Sequence, residues 1–291
     1  MACTVADHPT HHPVRQLRCR KDPCMTDGSR KSEESDARDE RDENTNEQDV
    51  NGATAVADRV KLTDLTVVLD RSGSMGRRRE AAMASFNDFL EEHRTLPDRA
   101  RLTLTQFDHR YEPVAVGARL KQVEPLTAAT YQPRGSTALL DAIGRTIEDT
   151  EARLKKRVEK RARKGKPEEA VAVIITIITD GMENASSRFT HKQVKAMIEA
   201  KENDENWTFI FMGTSWESVQ QGHRFGMKQE FMMDIGESPE AYREAQAMMS
   251  RKMMTVRERN ASMRAAAVKK MMRFTEEERA QVRDKNKNES S

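Results

Sequence analysis

The sequence lacks the features that mark several large classes of protein. Its only three cysteines, Cys3, Cys19 and Cys24, lie within the first 24 residues, so we expect no disulfide framework in the rest of the chain. The longest apolar run, residues 170–178, is about half the ~20 residues that span a bilayer. The first 25 residues contain no apolar stretch of the signal-peptide kind. These absences predict a soluble, cytoplasmic protein that does not insert into membranes.

An excess of charge of one sign is also missing. The 50 basic and 48 acidic residues leave a net charge of +2, which gives no overall attraction to nucleic acid or membrane. Residues 153–166 hold nine basic residues and one acidic residue but no aromatic side chains on which bases could stack. We interpret this stretch as a solvated helix extension and not as a nucleic-acid site. His8, His11 and His12 lie near the cysteines, yet their spacing matches no zinc module.

Three regions differ in composition. Within residues 1–60, the segment 31–49 holds nine acidic and three basic residues and almost nothing apolar, which predicts disorder. Residues 61–235 have the pattern of a folded domain. Residues 236–291 are basic and rich in methionine, and we expect their end to fray into solvent.

The last region begins with a helix signal. Ser238-Pro239 reads as an N-cap followed by proline at the first helical position. An apolar stripe then follows at three- and four-residue spacing, which leaves two interpretations open. The stripe docks on the preceding domain, or its unbranched methionines form an adaptable face for a partner. Its members are Tyr242, Ala245, Met249, Met253 and Val256.

Short apolar runs alternate with amphipathic stretches through residues 61–235. The continuous β-branched run at residues 170–179 is typical of a central parallel strand covered on both faces. Residues 102–107 and 111–116 are close enough to pair as a hairpin. The alternation predicts an α/β fold, a doubly wound, mostly parallel six-stranded sheet with one antiparallel edge strand and helices on both faces. The other predicted strands are 65–69, 207–212 and 231–234.

Three loops in this pattern carry oxygen-bearing side chains at strand ends. Asp70-Arg71-Ser72-Gly73-Ser74 follows the first strand, Gly135-Ser136-Thr137 precedes a helix, and Thr179-Asp180-Gly181 ends the central strand. In open α/β sheets, ligands bind at the carboxyl ends of the strands. Two carboxylates and three hydroxyls meeting there suit Mg²⁺, which prefers oxygen ligands. The alternative for Ser74 and Thr137 is that they only cap the next helix.

These three motifs, in this order, resemble the von Willebrand factor A (vWA) family and its metal-ion-dependent adhesion site. The resemblance covers roughly residues 62–235 and implies the strand order 3-2-1-4-5-6. It also implies that Mg²⁺ or Mn²⁺ is bound by the hydroxyls of Ser72, Ser74 and Thr137. Asp70 and Asp180 would be the carboxylates, which in this family often act through water.

The resemblance implies a binding protein and not an enzyme. The cation would capture an acidic residue of a partner protein, in some relatives within an assembly that contains an ATPase. This chain has no P-loop of its own, so any ATPase would be a separate chain. The expected rim of the binding face comprises Arg71, Arg77, Thr214 and Ser215.

Two other functions remain open. A Mg²⁺-dependent phosphatase or phosphotransferase of the haloacid dehalogenase type also places an aspartate after its first strand. Such enzymes have a second aspartate two residues later, where this chain has Ser72. The other alternative is a structural relic that keeps the fold and binds no metal.

Overall fold

The strand that ends at Asp70 lies inside a six-stranded sheet of order β3-β2-β1-β4-β5-β6. The computed structural model describes residues 59–283, apart from the side chain of Asn260. All neighbouring strands are parallel except β2 and β3, which form the antiparallel hairpin at one edge. The predicted fold class is confirmed, and the order is the one that the vWA resemblance implies. The strands are β1 (Val60–Asp70), β2 (Ala100–Phe107), β3 (Tyr111–Ala118), β4 (Ala170–Thr179), β5 (Trp207–Gly213) and β6 (Met232–Asp234).

Most of the predicted disordered region falls outside the described residues. So do all three cysteines and the N-terminal histidines. The described residues themselves belong to one compact unit.

The central strands explain why the sheet is covered on both faces. In β4, Ile174 and Ile178 pack into one apolar cluster, while Ile175 and Ile177 pack into a second cluster on the opposite face. Successive side chains of a strand point to opposite faces, so a continuous β-branched run supplies both layers. Burial of this apolar area, at roughly 25 cal/mol per Å², is the main stabilising contribution.

Helices cover both faces of the sheet. The helix Leu139–Ala162 continues into the basic stretch 153–166, where Arg157 and Arg161 pair with Glu169, just before β4, and hold this stretch against the domain. One face carries α1, α5 and the C-terminal helices, and the other carries α2, α3 and α4. The helices are α1 (Arg79–Arg94), α2 (Leu139–Ala162), α3 (His191–Glu202), α4 (Trp216–Arg224), α5 (Pro239–Arg259), α6 (Ala265–Met271) and α7 (Glu276–Gln281).

The helix that follows residue 235 packs into the core. Ser238 caps α5 as expected, since its Oγ accepts a hydrogen bond of 3.2 Å from the amide of Ala241. Of the two interpretations of the Met-rich stripe, the docked one is found, because Tyr242, Met249 and Met253 are buried in the core cluster on this face. The stripe therefore does not form a free surface for a partner.

The expectation that the C-terminal end frays was wrong for residues up to 283. Two short helices follow α5, and their apolar side chains reach the same core cluster. Four apolar residues among many charges outweighed the polar composition of this segment, because together they bury a continuous surface. They are Val268, Met272, Phe274 and Val282, each at most 4% exposed.

An ion pair with a buried carboxylate ties α2 to the N-terminal half of β1. Asp64, 1% exposed, accepts hydrogen bonds from both terminal nitrogens of Arg153, the Nη2–Oδ1 bond measuring 2.9 Å. The bidentate geometry makes this one of the stronger side-chain contacts of the fold.

A buried histidine joins α1 to α5. His93 Nδ1 lies 2.9 Å from Arg257 Nη1, and its Nε2 lies 3.2 Å from the carbonyl oxygen of Ser250. The guanidinium of Arg257 can only donate hydrogen bonds. His93 Nδ1 therefore accepts a hydrogen bond from Arg257, and its Nε2–H donates one to the carbonyl of Ser250. Burial, and then the charge of Arg257, lower the pKa of His93 from 6.5 to about 3. The imidazole is therefore neutral in the folded protein.

We expect this histidine to make the fold sensitive to acid. Between the folded pKa of about 3 and the model-peptide value of 6.5, the unfolded chain binds a proton that the folded chain does not, so stability falls as pH decreases below 6.5. On lowering the pH from 7 to 5, the wild type should lose about 2 kcal/mol more than His93→Gln, whose amide preserves both contacts. Urea titrations of both proteins at each pH measure the difference, and equal losses would contradict a neutral His93.

Within residues 59–283, no helix combines the length and the apolar character needed to cross a lipid bilayer.

Candidate metal centre

The two carboxylates of the candidate site are brought together by strand register. Leu69 of β1 pairs with Ile178 of β4, so Asp70 and Thr179 stand side by side at the carboxyl ends of adjacent parallel strands. Neighbouring strands lie about 4.8 Å apart, and Asp180 follows one residue later. The sheet itself thus sets the spacing of Asp70 and Asp180.

The two serines form a short chain of contacts between these carboxylates. The amide of Ser72 donates a hydrogen bond of 2.6 Å to Asp70 Oδ1. Ser72 Oγ lies 3.0 Å from Ser74 Oγ, which donates a bond of 2.5 Å to Asp180 Oδ1. Ser72 precedes the 3-10 helix Gly73–Arg78, yet its side chain makes no capping bond there. The hydroxyls therefore point at each other and at the carboxylates instead of capping a helix.

Thr137 reaches the site from the loop before α2. A Cβ atom at Gly181 would lie 2.6 Å from Thr137 Oγ1 and 3.4 Å from Asp70 Oδ2, so these two oxygens face the same small volume. The N-cap of α2 is Ala138, without a side-chain bond, so Thr137 does not cap that helix. The residues predicted as ligands, Asp70, Ser72, Ser74, Thr137 and Asp180, therefore lie close together at the carboxyl edge of the sheet.

Neighbouring loops hold Thr137 in place. Asn184 Oδ1 accepts a hydrogen bond of 2.8 Å from the amide of Thr137, and the Asn184 amide donates one of 3.0 Å to the Thr137 carbonyl. The loop also needs Gly135, whose φ of 66° is left-handed and where a Cβ would collide with the ring of His109.

Asp70 is the most unusual ionisable group of the site. It is fully buried, and no ion pair to it occurs within residues 59–283. Its Oδ2 accepts a bond of 2.5 Å from Thr179 Oγ1. Burial is the largest cause that raises the pKa of Asp70 from 3.8 to about 6, and the charge of Asp180 adds to it. A buried carboxylate beside a second one is the environment that a bound cation would stabilise.

Asp180 has a cationic partner. Arg78 Nη1 donates a hydrogen bond of 2.9 Å to Asp180 Oδ2, and both side chains are nearly inaccessible, at 3% and 1% exposed. The second terminal nitrogen of Arg78 donates a bond of 3.2 Å to the carbonyl of Glu237, just before α5. The sequence did not single out Arg78, although its neighbour Arg77 was expected at the rim of the site.

The donor set fits a hard cation. Two carboxylates and three hydroxyls supply oxygen ligands only, the kind that Mg²⁺ and Mn²⁺ prefer. No cluster of three or more His, Cys, Asp or Glu side chains suited to a metal occurs in the described part of the chain. A cation here would thus depend on the hydroxyls as much as on the carboxylates.

The expected rim is only partly at the surface. Arg77 and Ser215 are accessible, and Ser215 caps α4 by accepting a bond of 3.1 Å from the Ser218 amide. Arg71 was wrongly placed there, because its guanidinium is buried and bonded to Asp108 at 2.9 Å. Thr214 is also buried. The rim that a partner would meet therefore has less positive charge than the sequence suggested.

Three residues of this centre were missed from the sequence. Thr179 was named only as part of its motif, although its hydroxyl donates a hydrogen bond to Asp70. Its position directly before Asp180 was a signal in the sequence that could have identified it as part of the centre. Asn184 follows Asp180 by four residues in the same loop, but nothing in the sequence showed that it reaches Thr137. Arg78 gave no signal, since its partner Asp180 is 102 residues away.

No protein-family model matches the chain, and no curated protein is similar to it in sequence. Solved structures with a related fold include proximal thread matrix protein 1 from the mussel byssus (14% identity, TM-score 0.44, 67% of this chain and 46% of that chain). Others are the ArnB paralog VWA2 from Sulfolobus acidocaldarius (14%, 0.42, 66% and 46%) and the manganese-loaded TRAP protein of Plasmodium vivax (16%, 0.42, 65% and 72%). This chain spans less than half the length of the first two proteins.

Proposed function

We propose that the chain is a vWA-type protein-binding module whose metal-ion-dependent adhesion site holds Mg²⁺ or Mn²⁺. The partner would be a protein that offers an acidic side chain to the cation. As the resemblance suggests, that partner would belong to a larger assembly, with any ATPase on another chain.

The observation that carries this proposal is the meeting of five oxygen-bearing side chains from three loops. The Ser72 amide bonds Asp70, hydroxyl contacts of 2.5–3.0 Å join Ser72, Ser74 and Asp180, and Thr137 faces Asp70 across Gly181. Five separate local roles would not bring these side chains to the same edge of the sheet. Neutral hydroxyls leave the charge of a cation less compensated than carboxylates do, so a bound ion would keep its attraction for a partner's carboxylate.

The same geometry disfavours phosphoryl transfer. An enzyme of the haloacid dehalogenase type needs an acid two residues after its nucleophilic aspartate, and Ser72 stands there. The hydroxyl of Ser72 contacts Ser74 and does not titrate near neutral pH. We therefore propose binding and not catalysis.

We expect Mg²⁺ to stabilise the chelator-stripped protein by mass action. At a concentration of 100 times the Kd, the gain would be about 2.7 kcal/mol, visible as a rise in Tm and as heat in a calorimetric titration. Thr137→Val, which removes one hydroxyl at constant volume, should weaken Mg²⁺ binding about tenfold or more.

The matched control is Thr176→Val in the middle of β4. Thr176 is buried and its hydroxyl has no hydrogen-bond partner within the described residues, so its removal should leave the Mg²⁺ affinity unchanged. If millimolar Mg²⁺ produces neither heat nor a Tm shift in the wild type, the proposed function is wrong. Equal affinities for wild type and Thr137→Val would remove Thr137 from the site.

A further inference from the structure

We propose that Arg78 sets the charge of the metal site, so that it weakens cation binding and makes the loaded site more attractive to an acidic partner. This inference rests on the proposed function, because it concerns the same site. It follows from how Arg78 shares a carboxylate with the ligand set.

Asp180 is engaged on both of its oxygens. Oδ1 accepts the hydroxyl of Ser74 on the side of the candidate site, and Oδ2 accepts Arg78 Nη1 on the opposite side. One carboxylate thus lies between the place of a cation and a guanidinium. The two positive charges would compete for the same carboxylate, and the side chains of Arg78 and Asp180 are nearly inaccessible to water.

Arg78 is fixed in this place. Its Nη2 bonds the carbonyl of Glu237 at 3.2 Å, so the guanidinium is held between the β4 loop and the start of α5. Arg78 also directly precedes α1, and a positive charge at a helix N-terminus is unfavourable by itself. Local helix stability therefore does not explain an arginine here, whereas pairing with Asp180 does.

Counting charges gives the consequence. With Asp70 and Asp180 ionised, Arg78 leaves the empty site with one net negative charge in place of two. Like charges close together repel strongly where the dielectric constant is low, so the guanidinium reduces the affinity for a divalent ion. After such an ion binds, the site carries one net positive charge, which favours capture of a carboxylate.

Neutralising Arg78 tests this directly. In Arg78→Gln the amide can still donate to Glu237 or Asp180, but the charge is gone. We expect the Tm in EDTA to fall, because the buried carboxylate of Asp180 loses its counter-charge, and the Mg²⁺ affinity to rise about tenfold or more. Arg78→Lys keeps the charge and should bind Mg²⁺ within about threefold of the wild type. Calorimetric titration and thermal melts with Mg²⁺ or EDTA give both quantities.

The matched control is Arg153→Gln, which breaks the similar pair with the buried Asp64 in the N-terminal half of β1. It should lower the Tm by the same amount with Mg²⁺ and with EDTA, and leave the Mg²⁺ affinity unchanged. If Arg78→Gln is unfolded in EDTA, the Mg²⁺ concentration that restores its circular dichroism reports the affinity instead.

The outcomes separate the two proposals. The role of Arg78 is overturned if Arg78→Gln binds Mg²⁺ no more tightly than the wild type does, or if Mg²⁺ does not refold it. Neither result contradicts the proposed function of the wild-type site. Absence of Mg²⁺ binding in the wild type overturns the proposed function itself. If Arg78→Gln binds Mg²⁺ and the wild type does not, the proposed function of the wild-type chain is wrong, and the charge of Arg78 is the reason.

Discussion

In metal-free buffer at pH 7, we expect Asp70→Asn to unfold at a higher temperature than the wild-type protein. The reason is the cost of a buried charge, since the pKa of Asp70 is about 6 in the fold against 3.8 in a model peptide. Because the pKa of Asp70 is higher in the fold than in the unfolded chain, its contribution to stability is fully present below pH 3.8. This contribution is lost as the pH rises through 6. At pH 7 the ionised carboxylate costs about 3 kcal/mol, which corresponds to a Tm difference on the order of 10 °C.

Asparagine preserves the local contacts of Asp70. Its Oδ1 can accept from the Ser72 amide as the carboxylate does, and its Nδ2 can donate to Thr179 Oγ1, which can act as an acceptor. The advantage of the variant should shrink to well under ~1 kcal/mol at pH 4, where the wild-type carboxyl is protonated in the fold. Thermal melts in EDTA at the two pH values give both numbers.

Mg²⁺ should reverse the order of the two proteins. The wild type gains stability from the ion, while Asp70→Asn lacks one of the two carboxylates and gains little. The control is Asp141→Asn, because Asp141 accepts hydrogen bonds from the amides of Ser187, Arg188 and Phe189, and an amide group would present a donor to them. That variant should lose about 1 kcal/mol in either buffer. An Asp70→Asn protein that melts below the wild type in EDTA at pH 7 would show that Asp70 carries no charge penalty.

We expect that a chain that ends at Ile235 does not fold. The sequence had suggested residue 235 as the end of the vWA-like domain, yet the helices beyond it complete the core on one face of the sheet. Each large apolar side chain buried there contributes about 1.5–3 kcal/mol, so their joint loss exceeds the ~5–15 kcal/mol by which typical domains are stable. The buried apolar residues removed are Ala241, Tyr242, Ala245, Met248, Met249, Met253, Val256, Val268, Met272, Phe274 and Val282.

Calorimetry and near-ultraviolet circular dichroism measure this effect. The chain that ends at Ile235 should show no cooperative transition and no Mg²⁺-dependent shift. A chain that ends at Arg283 keeps every described residue and should melt as the full-length protein does. A cooperative transition in the shorter chain, with wild-type Mg²⁺ affinity, would mean that the domain folds without α5.

The fold and the donor set could be predicted because their signals are local. A β-branched run such as residues 170–179 identifies a central strand, and aspartates directly after two such strands must share one sheet edge. The direction of long side chains carries no such signal. Arg71 stands inside the first motif but turns inward, because Asp108 lies buried beside it. Whether the Met-rich stripe docks or stays free depends on an apolar surface that only the assembled sheet presents.

The pairing of Asp70 with Thr179 has a consequence for how the protein forms in the cell. These residues are 109 positions apart in the chain. In the sheet, β1 lies between β2 and β4, and β4 is synthesised long after β2. A ribosome that adds 5–20 residues per second, roughly, needs several seconds to cover that distance. During this time β1 has an uncovered apolar edge that other nascent chains or chaperones can contact. If the site binds a cation as proposed, ion binding would therefore report that synthesis has passed β4 and that β4 has paired with β1.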